Sequence, residues 1–217
     1  MFEIPLELEF LSDWHVGSGL GDGAIADAIL NRDINGIPYI PGSAIKGALR
    51  EGAWRLAIAD REHLEGLVDF FFGTARPDKT SNRSGRLFAS EGRLRPDVYG
   101  WLESLDGWER KEFVRDMTIL RFQTRLDANK MVVPHTLRSL ECGIPGLAFT
   151  ATLAADVPDG AEAWLNGYLA AICACVKSMG GHRARGLGSC RLKLAHMDGE
   201  AAFPAPAPDC LLAKLNS

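Results

Sequence analysis

Residues 40–50 read Ile-Pro-Gly-Ser-Ala-Ile-Lys-Gly-Ala-Leu-Arg, and a helix that begins in this stretch sets the predicted fold. Gly42 and Ser43 open the helix, and Ser43 is the expected N-cap residue. The apolar face at helical spacing consists of Ile45, Leu49, Ala53, Leu56 and Ala57. Lys46 and Arg50 are four residues apart, so they share a different face. The pattern predicts a helix that buries one side and presents cations on another.

The segments on either side of this helix have the periods of strands and of one long helix. Residues 2–10 alternate apolar and polar side chains, which is typical of a half-buried strand. The longest helix is predicted over 161–179, ended by Gly180 and Gly181. Shorter elements are predicted as strands at 87–89, 117–122, 147–153 and 190–194 and as a helix at 63–72. This order is that of a split βαβ unit, so the predicted fold class is α+β with a ferredoxin-like antiparallel sheet core.

The length of 217 residues favours a single domain spanning 1–217. Insertions are predicted at about 74–86 and 123–137, where turn-forming and basic residues cluster, and a Pro-rich tail is predicted over 203–217. No apolar run approaches the roughly 18 residues of a membrane span, and the acidic N-terminus is unlike a signal peptide. Five cysteines without a CxxC pair favour free thiols in a reducing compartment. We therefore expect a soluble cytoplasmic protein with no membrane partner and no structural zinc.

Charge is distributed unevenly along the chain. The formal net charge is −4, from 28 acidic and 24 basic residues, which excludes a uniformly basic nucleic-acid coat. Residues 2–29 hold six acids and no Lys or Arg, whereas residues 177–193 hold five Lys or Arg and no acid. In the second segment, glycines let backbone amides approach a phosphate, and Arg183 and Arg185 supply bidentate donors. A solvated basic turn explains this segment equally well.

Four segments together resemble a known family. Residues 40–50 resemble the IPGSSLKG-x-LR signature of the RAMP superfamily of CRISPR-associated proteins. Residues 180–188, Gly-Gly-His-Arg-Ala-Arg-Gly-Leu-Gly, are similar to the glycine-rich loop near the C-terminus of that family. Phe71-Phe-Gly73 followed by Gly85-Arg-Leu-Phe88 resembles the family's LFG…GRL stretch, and residues 136–146 end in Pro-Gly as its next segment does. The matches keep the family's order along most of the chain.

Within that superfamily the chain most resembles the repeated backbone subunit of type III effector complexes. The resemblance implies an RRM-like core that holds guide crRNA and a projecting thumb hairpin at 123–137. It also implies a loop aspartate that cleaves complementary single-stranded target RNA with a weakly bound divalent metal, Mg²⁺ or Mn²⁺. Asp27 matches that catalytic and metal-binding position, because residues 26–33 have the spacing of the family's IDxPVI+D loop without its Pro. The implied protein partners are other CRISPR effector subunits and copies of this chain.

The resemblance assigns RNA-binding roles to three groups of residues. The helix signature contributes Ser43, Lys46 and Arg50. The glycine-rich loop contributes Gly180, Gly181, His182, Arg183, Arg185, Gly186 and Gly188. The thumb contributes Arg125, Lys130 and Met131, of which Met131 supplies an apolar wedge between bases. Asp22 and Asp33 are second candidates beside Asp27 for the metal, because Mg²⁺ typically takes one or two carboxylates plus phosphate and water.

Three other interpretations stay open. The chain is a non-catalytic structural subunit that binds guide RNA, an option favoured by the Pro missing after Asp27. Alternatively it is a metal-independent endoribonuclease that processes guide RNA with His15 or His182, although such relatives resemble two ferredoxin-like halves. The last alternative is a soluble domain without a nucleic-acid partner. The leading expectation remains endoribonuclease activity within the assembled complex.

Overall fold

A computed structural model describes residues 1–19, 21, 26–74, 84–125, 127–195 and 206–215. The strands are β1 (Phe2–Phe10), β2 (Leu87–Ala89), β3 (Arg93–Leu94), β4 (Thr118–Gln123), β5 (Arg138–Gly143), β6 (Ala148–Ala155) and β7 (Cys190–Leu194). The helices are α1 (Gly42–Ala57), α2 (Arg61–Phe72), α3 (Pro96–Ser104), α4 (Gly107–Asp116), α5 (Glu162–Cys175) and α6 (Asp209–Leu215). Within the described ranges, no helix is long and apolar enough to cross a membrane.

The main sheet is antiparallel and has the strand order β2-β6-β1-β7, with β3 also paired to β6. Together with α1 and α5, the chain order is β1-α1-β2-β6-α5-β7, and the last of these strands lies beside the first. This is the ferredoxin-like arrangement of a split βαβ unit. The prediction of an α+β fold with an antiparallel ferredoxin-like core is therefore confirmed.

The alternation in residues 2–10 places one side of β1 in the core. Leu6 lies opposite Ala151 of β6 and Leu194 of β7, so buried side chains line up across three strands. Glu7 is exposed and lies opposite Lys193, on the other face. The helices α1 and α5 contact each other, and they also contact β2 and β7 respectively. Because only one face of the central strand is apolar, both helices cover that same face.

The insertion between β3 and β6 contains helices and a hairpin. Strands β4 and β5 form a separate two-stranded antiparallel sheet, and Val133 N–H donates a 2.9 Å hydrogen bond to the carbonyl of Arg125 in the connecting loop. The hairpin strands are Thr118–Gln123 and Arg138–Gly143, so the predicted span 123–137 lies almost wholly between them. The sequence analysis did not predict α3 and α4, which precede it. Of the insertion predicted at 74–86, residues 75–83 lie outside the described residues.

Two predicted helix ends were wrong. The long helix ends at Cys175 rather than 179, because Met179 N–H bonds to the carbonyl of Gly188 and so leaves the helix for a hairpin pairing with the start of β7. Ser43 does not cap α1: the helix begins at Gly42, its N-cap is Pro41, and no side chain caps it. The Pro41 carbonyl accepts the first helical hydrogen bonds instead. In the predicted Pro-rich tail, residues 209–215 form α6, which contacts α2.

Candidate nucleic-acid interface

The glycine-rich loop 180–188 is fastened to the chain segment just after β1. Gly181 N–H donates to the carbonyl of His15 at 2.8 Å, and Gly188 N–H donates to the carbonyl of Asp13 at 2.7 Å. Gly180 has a φ of 94°, and a Cβ there would lie 2.4 Å from the His15 carbonyl oxygen. A side chain at Gly180 would therefore be both strained and obstructed. At this position glycine lets the loop approach the protein's own backbone, so that the loop tip keeps a fixed orientation.

Two histidines meet at the base of this loop. His15 is buried, and its Nδ1 lies 2.7 Å from the carbonyl oxygen of Glu141, so Nδ1 carries the proton. His182 is exposed, adopts a left-handed conformation with φ of 56°, and has its ring centroid 6.3 Å from that of His15. Partial burial lowers the pKa of His182, and so do the nearby Arg185 and His15. His182 is therefore a neutral hydrogen-bonding group at pH 7. His15 has a structural role, because its hydrogen bond joins the segment after β1 to Glu141 of β5.

The two arginines of the loop reach in opposite directions. Arg183 Nη1 lies 2.5 Å from Oε2 of Glu51 on α1, while Arg185 donates to the side-chain oxygen of Gln123 on β4. The Arg183 hydrogen bond, more than the charge of Arg55, lowers the pKa of Glu51. Both arginines stay substantially exposed. The loop thus bridges the main sheet's helix layer and the β4–β5 hairpin, with guanidinium groups at both ends.

The predicted helix cations lie on one flank of α1. Lys46 and Arg50 are both partly exposed, and neither is ion-paired to a carboxylate within the described part of the chain. Lys46 Nζ lies 5.6 Å from the centroid of the Phe88 ring on β2. Partial burial lowers the pKa of Lys46, with a smaller contribution from the adjacent charge of Arg50. Each of these neighbouring charges disfavours the other, and a bound anion would offset that repulsion.

The cations of α1 and of the glycine-rich loop flank a single exposed ridge. Successive residues turn by about 100° around a helix, so Glu51, which holds Arg183, lies about 100° from Arg50. Ser43 is exposed and falls between the two flanks on this helical projection. The structure thus brings Lys46 together with Arg50, and it places Arg183 against Glu51 of the same helix, whereas Arg185 lies against Gln123 of the β4–β5 hairpin. It does not place all four in one row along one face of α1.

The hairpin formed by β4 and β5 exposes both apolar and basic side chains at its tip. Arg125 and Lys130 are exposed, and Lys130 has a φ of 62° in a turn whose amides bond to Oδ1 of Asp127. Met131 is 66% exposed. The other large apolar side chains exposed on the hairpin are Ile119, Leu120, Phe122, Val132 and Leu137. Six large apolar side chains exposed on one two-stranded hairpin are typical of a surface that contacts a partner.

Asp27 lies on an exposed loop that is pinned to β5. Ser139 donates to its Oδ2 twice, from the backbone N–H at 2.6 Å and from the hydroxyl at 3.1 Å. Asp27 N–H in turn donates to the Ser139 carbonyl at 3.0 Å. The hydrogen bonds from Ser139, and to a lesser degree the charge of Arg138, hold the pKa of Asp27 below its usual value. Asp27 is therefore an anion at neutral pH, suited to bind a cation rather than to donate a proton.

A half-buried ion pair between Arg32 and Glu141 also holds this loop against β5. Glu141, two residues after Ser139 on β5, accepts from Leu30 N–H at 2.9 Å and pairs with Arg32 at 2.5 Å. Glu141 N–H donates to the carbonyl of Ala28, so the loop and the strand are also joined through their backbones. The sequence analysis missed both Ser139 and Glu141. An acidic residue between the apolar Leu140 and Cys142 is the signal that points to such a buried partner.

The carboxylates near Asp27 could bind a divalent cation only if a bound RNA supplied further ligands. Among the described residues, no three or more His, Cys, Asp or Glu side chains cluster as metal ligands. Asp33 is a second candidate, but its Oδ1 accepts hydrogen bonds from the amides of Asn35 and Ile37. This carboxylate therefore stabilises the turn that contains it. Asp22 lies outside the described residues. One exposed carboxylate suits Mg²⁺ or Mn²⁺ held mainly by water and by phosphate oxygens of a bound RNA.

Solved structures share this architecture. One match is a chain of the type III-B Cmr-beta complex in its apo state, with a TM-score of 0.66, 14% identity, and coverage of 90% of this chain and 98% of that one. A chain of the type III-B Cmr-beta complex bound to cognate target RNA matches with a TM-score of 0.68, 14% identity, and coverage of 89% and 97%. A chain of a type IV-B CRISPR complex matches with a TM-score of 0.56, 16% identity, and coverage of 95% and 96%. At these identities the likeness shows the fold alone.

Sequence comparison identifies the family directly. No curated protein sequence matches the chain. The family model described as RAMP superfamily matches residues 7–191, which include the second half of β1, the α1 signature, the Asp27 loop, the hairpin and the glycine-rich loop. This span covers well over half of the chain and contains every segment on which the resemblance was based. The chain belongs to the RAMP superfamily.

Proposed function

We propose that this protein is a subunit of an RNA-guided CRISPR effector complex that binds guide crRNA and cleaves complementary target RNA with Asp27. The observation that carries this proposal is the pair of hydrogen bonds from Ser139 to Asp27, near the loop-side end of the paired strands β4 and β5. An exposed anionic loop, a hairpin with an apolar tip and a cationic glycine-rich loop meet within one RAMP-superfamily chain. The matched chains from type III-B and type IV-B complexes support the assignment to an effector complex.

Guide RNA is bound along the exposed ridge of α1 and the glycine-rich loop. Lys46 and Arg50 supply charge on one flank, Arg183 supplies a bidentate donor on the other, and Arg185 supplies one on the side of the β4–β5 hairpin. Ser43 and the neutral His182 add hydrogen bonds, and Gly186, with φ of 82° and open space around it, leaves room for a backbone contact. Met131 at the hairpin tip separates neighbouring bases, because an exposed unbranched thioether side chain fits between stacked rings.

Cleavage transfers the scissile phosphorus from O5′ of the leaving nucleotide to the neighbouring 2′-oxygen. The 2′-hydroxyl gives its proton to water, the O2′–P bond forms, the P–O5′ bond breaks, and O5′ takes a proton from water, leaving a cyclic phosphate and a 5′-hydroxyl. A divalent metal, when bound, supplies charge stabilisation at the phosphate and at the leaving oxygen. Asp27 holds its carboxylate ionised and in a fixed position, and Arg138 lies close enough to offset phosphate charge. Ser139 binds Oδ2 of Asp27, and we propose that Oδ1 is the oxygen that takes part in binding the metal.

A non-catalytic structural subunit is the second candidate. The same two hydrogen bonds from Ser139 that position Asp27 also fasten the loop to β5, which is a sufficient structural reason for an aspartate at this position. The family's Pro is replaced by Ala28 and Ile29 in the residues that follow. In this case the chain binds RNA through the same cations and the complex relies on another nuclease.

The deciding experiment compares Asp27→Ala with the matched control Asp159→Ala in the assembled complex with Mg²⁺ or Mn²⁺. Asp159 is an exposed carboxylate in the turn before α5. The proposal expects Asp27→Ala to slow target cleavage by about 10²–10⁴-fold with unchanged RNA affinity, and Asp159→Ala to cleave at the wild-type rate. Cleavage by the Asp27 variant at the control rate would reject the catalytic assignment. Absence of any cleavage in the wild-type complex would favour the structural subunit.

A further inference from the structure

A cationic cavity of about 750 Å³ lies between α4, β4 and the turn at 32–36. Its cationic lining residues are Arg32, Arg110, Lys111 and Arg115. Val114, Ile119 and Leu120 provide apolar walls. This combination of apolar walls with a few convergent charged groups, at this volume, is typical of small-ligand sites. None of these residues belongs to the cations that the proposed guide path uses.

The carboxylate in the lining does not neutralise the cavity. Glu141 is already paired with Arg32 and accepts from Leu30 N–H, so its charge is offset within the protein. Arg115 has carboxylate partners in Asp116 and Glu112. Lys111 is exposed and is not ion-paired within the described ranges of the chain. The cavity therefore keeps excess positive charge, contributed by Lys111 and by Arg110.

Arg110 shows that a partner is missing. Its Nη2 is buried, and no hydrogen-bond acceptor in the described structure contacts it. A buried guanidinium nitrogen without an acceptor costs free energy, and a rotation of the Arg110 side chain toward an oxygen anion in the cavity would recover it. The first amides of α4 do not explain the cavity, because Oδ1 of Asp106 already accepts from Trp108 and Glu109. The anion is therefore recognised by side chains and not by the helix end.

We propose that this cavity binds a nucleotide, with its phosphate on Arg110 and Lys111 and its base against Val114, Ile119 and Leu120. Charge selects a phosphate, and the apolar walls select a flat ring over a bare anion. The nucleotide comes either from an RNA strand or from a free mononucleotide, since both carry the same chemistry. The assignment does not rest on the proposed guide path, because it uses other residues and is testable on the isolated chain.

The test measures AMP and tetra-adenylate RNA binding to the full chain by equilibrium dialysis. Arg110→Gln is expected to weaken binding at least about tenfold, and Lys111→Gln about threefold. The matched control Arg61→Gln removes an arginine that pairs with Glu65 on the exposed face of α2, and it leaves the affinity unchanged. Circular dichroism checks folding. If Arg110→Gln fails to fold, the exposed Lys111 carries the test through Lys111→Gln and Lys111→Glu.

The two ligands distinguish the two sources. Loss of affinity for AMP and RNA together supports a site that takes either, and loss for RNA alone supports a nucleotide within a strand. Unmeasurable binding of both ligands to the wild-type chain, or equal affinities for the cavity variants and Arg61→Gln, would overturn the proposal. Competition by inorganic phosphate or by hexaglutamate as effective as that by AMP would also overturn it, because the site would then recognise a bare anion or an acidic peptide.

Discussion

Ser139 N–H lies 2.6 Å from Oδ2 of Asp27, so a strand of the hairpin holds the loop aspartate directly. The Ser139 hydroxyl donates to the same oxygen, and the Asp27 amide bonds back to the Ser139 carbonyl. Glu141, on the same strand, holds the loop a second time through Leu30 and Arg32. The hairpin, which we expect to bind RNA, and the loop, which we expect to cleave it, are thus joined by hydrogen bonds and an ion pair. We expect a displacement of β5 by bound RNA to move the carboxylate with it.

Ser139→Ala tests the contribution of the hydroxyl. The variant loses one hydrogen bond to Asp27 and keeps the backbone one, so the pKa of Asp27 should rise toward its usual value without reaching it. Target cleavage in the assembled complex should fall by about three- to tenfold, with RNA affinity unchanged. NMR titration of the Asp27 carboxyl carbon and single-turnover cleavage rates measure the two effects. An unchanged pKa together with an unchanged rate would show that the hydroxyl does not position Asp27.

The lowered pKa of Asp27 predicts the shape of the pH profile. A carboxyl group whose pKa is depressed in the folded state is ionised throughout the neutral range, and its stabilising contact is lost only as the pH falls through that lowered value. Cleavage between about pH 5 and 8 should therefore show no inflection that depends on Asp27. Asp27→Asn should reduce the rate by the same factor at every pH in that range. A reduction factor that changes with pH would instead assign a proton-transfer role to Asp27.

Glu141→Ala removes one partner of the half-buried ion pair with Arg32. The side chains are 11% and 29% exposed, and the substitution leaves the guanidinium without its carboxylate and Leu30 N–H without its acceptor. The free energy of unfolding should fall by about 2–4 kcal/mol. Urea denaturation measures the loss. The control Glu65→Ala removes a carboxylate from the exposed pair with Arg61 and should lower the free energy of unfolding far less than Glu141→Ala does. Equal effects of the two variants would show that Glu141 does not support the loop.

The sequence predicted the ferredoxin-like core because its elements depend on local periodicity. Residues 2–10 alternate cleanly, and the structure buries those same apolar positions. The end of α5 was mispredicted because Met179 is held by Gly188, a contact closed by the loop between them rather than by the helical pattern. The N-cap was mispredicted because Pro41 offers its carbonyl before Ser43 is reached. In both cases a contact outside the helix decided where it begins or ends.

In the candidate site, too, the features within one helix were predictable from the sequence, whereas the contacts between distant segments were not. Lys46 and Arg50 share a flank of α1, as their spacing of four predicts. The partnership of Asp27 with Ser139 joins residues 112 positions apart, and no local pattern contains that information. Glycines at 180 and 188 were expected to approach a ligand, but their Cβ positions point at the protein's own carbonyl groups. Patterns in a sequence report which side chains share a face, whereas only the fold reports which loops meet.

His182 should make RNA affinity depend on pH. Its pKa is lowered by partial burial and by the nearby Arg185 and His15, so the imidazole is neutral at pH 7 and gains a charge only as the pH falls through that lowered value. RNA affinity at constant salt should therefore increase as the pH falls through that lowered pKa. His182→Gln should remove this increase, whereas His63→Gln on α2 should keep it. Fluorescence anisotropy with a labelled RNA measures both. An increase that persists in His182→Gln would assign the titration to another group.

Lys46→Ala combined with Arg50→Ala tests whether the α1 flank contacts phosphates. If each cation neutralises one phosphate of a single-stranded guide, the slope of log affinity against log salt should become shallower by about 1.4. The matched control, Arg61→Ala with Arg95→Ala, removes two arginines that are paired with their own carboxylates, Glu65 and Asp97. It changes the net charge equally and should leave the slope unchanged. Equal changes in slope for the two double variants would show that RNA senses only net charge, and the α1 flank would then lose its place on the guide path.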